Sequence, residues 1–145
     1  MAHGSCICGD VKYSFTGEPI SQAICHCIPC RKVSGGAFTT NILVQSTSFT
    51  LLSGAEKLKT YALKHPAGMT LTYHFCETCG TKIYKEGDAD AFKGVFIVQA
   101  GTLDSAEGEK EMGLKDVKIG AELWVKERVG WLGEQPGAVQ CQEFS

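Results

Sequence analysis

The chain has 145 residues, enough for one ordinary domain with its own hydrophobic core. Hydrophobic residues make up 43% and charged residues 21%, and the formal net charge is -2 with no basic block, which argues against a nucleic-acid footprint or a polybasic membrane patch. No run has the apolar length of a signal peptide or a bilayer span, so the expectation is a cytoplasmic or nuclear protein whose thiols stay reduced.

In chain order, alternation of apolar and polar residues and β-branched content predict a series of short strands. Residues 11–15 alternate and stop at Gly17-Glu18-Pro19. Residues 31–36 follow a cysteine cluster and suit one helical turn. Residues 38–44 and 49–52 are the next strands, the latter closed by Ser53-Gly54. Residues 58–63 are stopped by His65-Pro66-Ala67-Gly68. Residues 69–75 alternate most regularly and deliver Cys76; residues 81–85 lead out again. Residues 95–98 are apolar and central. Residues 108–120 read as a polar surface loop. Residues 121–129 read as a strand on Leu123, Trp124 and Val125, although Glu122, Lys126 and Glu127 also suit a helix. Phe92, Phe96, Trp124 and Trp131 are expected to pack. The whole reads as one all-β domain of short antiparallel strands over residues 1–135, with a loose tail at 136–145.

Seven of the eight cysteines fall in three clusters: Cys6-Ile7-Cys8-Gly9, Cys25-His26-Cys27-Ile28-Pro29-Cys30 and Cys76-Glu77-Thr78-Cys79-Gly80. These spacings are wrong for a disulfide framework and right for metal ligation. Cys-x-x-Cys-Gly is a zinc-knuckle pattern, in which a tight turn aims both sulfurs one way and the glycine takes positive φ. Cys-x-Cys in extended backbone points both thiols to the same side. The simplest pairing joins Cys6, Cys8, Cys76 and Cys79 into a four-ligand site. Cys25, Cys27 and Cys30 then hold a second ion.

Three protein ligands leave one coordination position open, as catalytic zinc requires; the bland alternative is a second structural site with an unseen fourth ligand. His26 alternates away from Cys25 and Cys27 and reads as a packing residue or a support behind the ligands. Cys141 is either a ligand reaching back or, better, a free thiol in the tail. A three-thiolate zinc is a poor activator of water and suits a soft fourth ligand, a substrate thiol that binds as thiolate and stays nucleophilic. Arg31 and Lys32 are candidate cations beside that thiolate.

Gly4-Ser5-Cys6-Ile7-Cys8-Gly9, Cys25-His26-Cys27 with Cys30-Arg31-Lys32 and Ser34-Gly35, Phe75-Cys76 with Cys79-Gly80-Thr81, and Gly101-Thr102-Leu103-Asp104 together resemble the glutathione-dependent formaldehyde-activating family, a domain shared with centromere protein V. The resemblance runs from Gly4 to about Trp131. It implies a β-tent-like zinc-binding domain with two zinc ions, structural at Cys6, Cys8, Cys76 and Cys79 and catalytic at Cys25, Cys27 and Cys30. It also implies carbon–sulfur lyase activity joining glutathione, or a related small thiol, to a small electrophile such as formaldehyde. A non-catalytic, zinc-stabilised scaffold is the alternative. Residues 64–68, with their His-Pro-Ala-Gly turn, and residues 105–120 depart from the family's pattern and are placed to shape a substrate pocket.

Overall fold

The computed structural model describes residues 1–104 and 111–145. In chain order its elements are β1 (Ala2–Ser5), β2 (Lys12–Phe15), β3 (Ser21–Cys25), α1 (Ile28–Ser34), β4 (Thr39–Gln45), β5 (Phe49–Ser53), β6 (Leu58–Lys64), β7 (Thr70–Cys76), β8 (Lys82–Gly87), β9 (Val95–Gln99), β10 (Ala121–Leu123) and β11 (Val139–Gln140). They form two sheets, a three-stranded one ordered β1-β2-β5 and an eight-stranded one ordered β11-β10-β3-β4-β9-β8-β7-β6. The all-β expectation holds. Among the described residues no helix is long and apolar enough to cross a membrane.

The period of two along each strand gives the large sheet two different faces. On β4, Ile42 and Val44 enter the main core, while Asn41 and Leu43 line a cavity on the other side. On β9, Val98 joins that core and Ile97 faces the cavity. The core lies between the sheets, where Val11, Tyr13 and Phe15 meet Ile42, Val44, Ile83 and Val98. An aromatic series runs through it: Tyr13 stacks on Phe49 at 5.1 Å, Phe49 tilts against Tyr84 at 5.0 Å, and Tyr84 stacks on Phe96 at 4.5 Å. Ring pairs at these separations add about 0.5–1.5 kcal/mol each beyond the area they bury.

Strands β1, β3 and β11 were not anticipated. The helical turn expected from Arg31 starts three residues earlier, because Cys27 is extended and its sulfur accepts the Cys30 N–H, capping α1, with Pro29 in the first turn where no N–H is needed. The strand expected over 121–129 lasts only from Ala121 to Leu123. Trp124 then takes φ 57°, ending the strand, and Val125–Glu127 form a single 3-10 turn. Positive φ on a bulky residue is strained, and it delivers the indole to a buried position against Cys25, Cys27 and Cys30. Trp131 does not pack: it is 77% exposed. Of the loop expected over 108–120, residues 108–110 lie outside the described ones, and Leu114–Asp116 form a 3-10 turn.

The pairing is antiparallel except at β10, which pairs in parallel with both β3 and β11. This corrects the loose tail. Val139–Gln140 add a strand to β10, and the Cys141 N–H bonds to the Glu122 carbonyl at 2.9 Å. The Trp124 N–H bonds to the Glu143 carbonyl at 2.8 Å, and the Phe144 ring meets His65, Phe92 and Trp124 at 5.2, 5.7 and 5.6 Å. Phe144→Ala removes this half-buried ring and is expected to lower unfolding stability by about 1–3 kcal/mol. An unchanged urea midpoint would mean that the tail does not dock in solution.

Candidate metal centres and their cavity

The loop between β1 and β2 carries Cys6 and Cys8; Cys76 ends β7 and Cys79 lies in the turn that leads to β8. Both are tight turns: the Gly9 N–H bonds to the Cys6 carbonyl at 3.0 Å and the Gly80 N–H to the Cys76 carbonyl at 2.8 Å. Gly9 and Gly80 have φ of 82° and 78°, as the knuckle pattern requires. The two turns meet, and all four sulfurs lie within 4.8 Å of one another. Cys6 Sγ is 3.5 Å from Cys8 Sγ, which is 3.8 Å from Cys76 Sγ. A tetrahedral metal–thiolate site with bonds of about 2.3 Å has edges of about 3.8 Å, so the donor set fits a thiophilic cation. The Val11 N–H points at Cys6 Sγ at 3.3 Å. Hydrogen bonding from Thr81, whose hydroxyl oxygen is 3.2 Å from the sulfur, holds Cys79 down to about 5.

The second group is Cys25 at the end of β3, Cys27 at the helix cap and Cys30 in the first turn of α1. Their sulfurs also lie within 4.8 Å of one another, and all three residues are buried. No fourth His, Cys, Asp or Glu among the described residues joins them. Cys141 is elsewhere, a half-buried free thiol on the strand edge beyond β11. The three thiols cannot all ionise unaided. Hydrogen bonds from Cys25 and Cys27, with Lys85 nearby, hold Cys30 far below the ordinary thiol range; hydrogen bonding to those neighbours and burial push Cys25 far above it. Cys27 is pushed up to about 11: its bond with Cys25 lowers it, but Cys30 and burial outweigh that. A bound cation would relieve this competition, so these donors fit a metal ion too.

The cation the protein supplies is Lys85, which the sequence reading missed. Its Nζ is 3.5 Å from Cys30 Sγ and 5.4 Å from the Tyr73 ring centre, and the residue is only 5% exposed. Burial alone would drive off its proton, but the neighbouring Cys30 thiolate, with Tyr73 and the other two sulfurs, raises its pKa above the ordinary lysine value. Alternation does not reveal it: β8 is irregular opposite His74 and Phe75, so Ile83 and Tyr84 both enter the main core and Lys85 turns to the cavity. Arg31 and Lys32 ride on α1, half-buried and exposed, and neither lines the cavity.

His26 does not join the three sulfurs. It is 1% exposed, and its Nε2 is 2.9 Å from Glu122 Oε1. Glu122 also accepts from the Gln135 N–H at 2.9 Å, Gln140 Nε2 at 2.7 Å and Arg128 Nη2 at 3.1 Å. The carboxylate therefore ties β3, β10 and β11 together.

The three cysteines open onto a cavity of about 440 Å³. Its walls are mostly apolar, drawn from β3, β4, β7, β9, β10, the loops at 65–69 and 89–92, and Phe144. Burial pushes the Glu122 carboxyl up, but its hydrogen-bond donors, Gln135 first, and Arg128 outweigh that and hold it at about 2. A folded-state pKa below the unfolded one stabilises above the unfolded value, and that stability is lost as pH falls through the folded one. Glu122 should therefore hold the metal-stripped protein together at neutral pH and fail it between about pH 4.5 and 2. Glu122→Gln is expected to destabilise by about 2 kcal/mol at pH 7 and to flatten the acid limb of a urea-midpoint series. An unaltered acid limb would refute this role.

A sequence profile described as glutathione-dependent formaldehyde-activating enzyme matches residues 1–127. A Sordaria macrospora protein named "Putative glutathione-dependent formaldehyde-activating enzyme" is 27% identical over 108 residues, which is 71% of this chain and 44% of that protein. The chain thus spans less than half the length of that relative. A crystal structure of a Rhodobacter sphaeroides protein superposes with a TM-score of 0.56 at 19% identity, over 73% of this chain and 91% of that one, a likeness of fold alone. With the profile matching nearly the whole chain and both cysteine groups assembled, the chain belongs to the glutathione-dependent formaldehyde-activating enzyme family.

Proposed function

We propose that the protein is a zinc-dependent carbon–sulfur lyase-type enzyme that joins glutathione, or a related small thiol, to a small carbonyl electrophile. One observation carries this reading: three buried cysteine sulfurs, with no fourth ligand among the described residues, line a cavity large enough for a small molecule. Cys6, Cys8, Cys76 and Cys79 would hold a structural zinc, and Cys25, Cys27 and Cys30 a catalytic one. Zinc bound at the second group supplies a position where a thiol ionises near neutral pH while keeping its nucleophilicity.

The protein's own residues account for the rest. Three thiolates and a divalent ion carry a formal charge of -1, and a substrate thiolate makes it -2. Lys85 against Cys30 offsets part of that charge in a site where water screens little. Arg31 and Lys32 lie on α1 outside the cavity lining, which leaves Lys85 as the cation beside the sulfurs. His26, anchored by Glu122, holds the Cys25–Cys27 segment in its extended shape. A reducing, cytoplasmic setting keeps all seven ligands available. A scaffold with two structural metals would leave the cavity at Cys25, Cys27 and Cys30 without a purpose.

Metal analysis of the purified protein should give two zinc ions per chain. Cys27→Ala should give one, keep a cooperative thermal transition and lose at least 100-fold in thiol–aldehyde adduct formation. Retained turnover in that variant rules out the catalytic assignment, and loss of folding together with the metal favours the scaffold. Lys85→Met keeps the side-chain length and removes the charge. It is expected to weaken glutathione binding about tenfold, or about 1.4 kcal/mol, by calorimetry on the metal-loaded protein.

A further inference from the structure

The cavity at Cys25, Cys27 and Cys30 runs along β3. Ser21, Ala23 and Cys25 line it from one face of that strand. Their register partners on the flanking strands extend the wall: Leu43 beside Ser21, Ala121 beside Ala23, and Leu123 beside Cys25. Ser21 is exposed and Cys25 is buried, so the hollow deepens along the strand towards the sulfurs. Four residues of extended chain cover roughly 13 Å. A space of about 440 Å³ lies in the range that ordinary small-molecule ligands occupy, so polarity rather than size decides what enters.

Apart from the sulfurs, the interior offers a polar ligand little to bond. Asn41 donates from Nδ2 to the Ala23 and Thr39 carbonyls, both at 3.2 Å, and its Oδ1 accepts from Gln99 Nε2 at 3.0 Å. Lys85 Nζ is engaged with Cys30 Sγ. His65 Nδ1 accepts the Ala67 N–H at 3.0 Å, and its Nε2 is buried away from the hollow. The Ser21 hydroxyl stands at the exposed rim, and no lining residue among the described ones is acidic. Glutathione brings two carboxylates, an ammonium and two peptide groups. All of them lie within eight bonds of its sulfur, a reach of roughly 10 Å, which is shorter than the hollow. With the sulfur at the three cysteines they would lie against Leu123, Ala23 and Ala121. Burying polar groups unpaired there is costly, and a hydrocarbon body meets no such penalty.

Resting on the thiol–carbonyl reading above, we infer that the thiol this site takes in preference to glutathione is an uncharged one with an apolar alkyl or aryl body. Its sulfur sits at Cys25, Cys27 and Cys30, and its body lies along β3. Ala23 and Ala121 face the hollow halfway down with the smallest apolar side chains, which leaves the body its room. Lys85 offsets charge at the sulfurs and leaves none over for a distant carboxylate. Selectivity then comes from the desolvation a charged thiol suffers and an apolar one does not.

The test is calorimetry of thiol binding to the metal-loaded full chain. Ethanethiol, 1-butanethiol, benzyl mercaptan and glutathione are compared, each affinity corrected for the thiol's own ionisation. Each buried methylene is worth about fourfold, so butanethiol should bind about tenfold tighter than ethanethiol. Butanethiol and benzyl mercaptan should each bind at least tenfold tighter than glutathione, with a heat-capacity change that grows more negative with chain length. Ala23→Phe fills the hollow halfway down and should cost butanethiol about tenfold while sparing ethanethiol. Should that variant misfold, the wild-type series decides alone. Glutathione bound as tightly as butanethiol overturns the inference and leaves the thiol–carbonyl reading standing. An affinity that ignores chain length does the same. A length dependence that folded Ala23→Phe leaves intact overturns the placement of the body along β3. If butanethiol binds as expected and no aldehyde is converted, the apolar thiol site stands and the enzymatic reading falls. If no thiol binds, both fall.

Discussion

Four thiolates within 4.8 Å of one another repel, by about 4 kcal/mol per pair at 4 Å in a moderately screened environment, so Cys6, Cys8, Cys76 and Cys79 can share one point only as thiols or around a cation. The fold is built across that point. One turn comes from the small sheet and the other from the large sheet, 68 residues apart in the chain for Cys8 and Cys76. A cation there would fasten the sheets together at one end, and the aromatic series from Tyr13 to Phe96 fills the space between them. Cys76 closes β7, and the turn that carries Cys79 opens β8. Once the register is fixed, alternation decides which residues face the core and which face outward.

The outward face of the large sheet is built differently. The clamp end gathers four sulfurs and is closed. The other face gathers three sulfurs, one buried ammonium and an apolar hollow. Lys85 and the thiol cluster are mutually dependent, because each is an unstable charge in a buried place without the other. Glu122 performs a similar task on the far side of the ligands, where one carboxylate joins His26, Arg128, Gln135 and Gln140.

Much of the fold and both cysteine groups were legible in the sequence, because their signals are local. Cys-x-x-Cys-Gly states its own turn geometry, and the alternation of residues 69–75 states a strand. What escaped notice is contributed by tertiary contacts. Lys85 reads as an ordinary surface lysine until β8 is known to lie between β7 and β9. His65 reads as turn punctuation before a proline, and only the approach of Trp124 and Phe144 buries it. Trp124 breaks its strand with a backbone conformation that residue type rarely adopts. The docking of 139–144 depends on parallel pairing with a distant strand, for which short-range pattern has no signal.

That parallel insertion also sets an order of events during synthesis. The four-sulfur clamp has all its ligands once Cys79 has left the ribosome, with the three-stranded sheet already complete. The cavity has to wait. β3 gains its neighbour β10 only when residues 121–123 emerge, and the wall at Phe144 and the edge strand at 139–140 come later still. Until then Cys25, Cys27 and Cys30 stand beside an unpaired strand edge, open to the first cation or oxidant that reaches them. The half of the molecule that holds the cavity is the half that matures last.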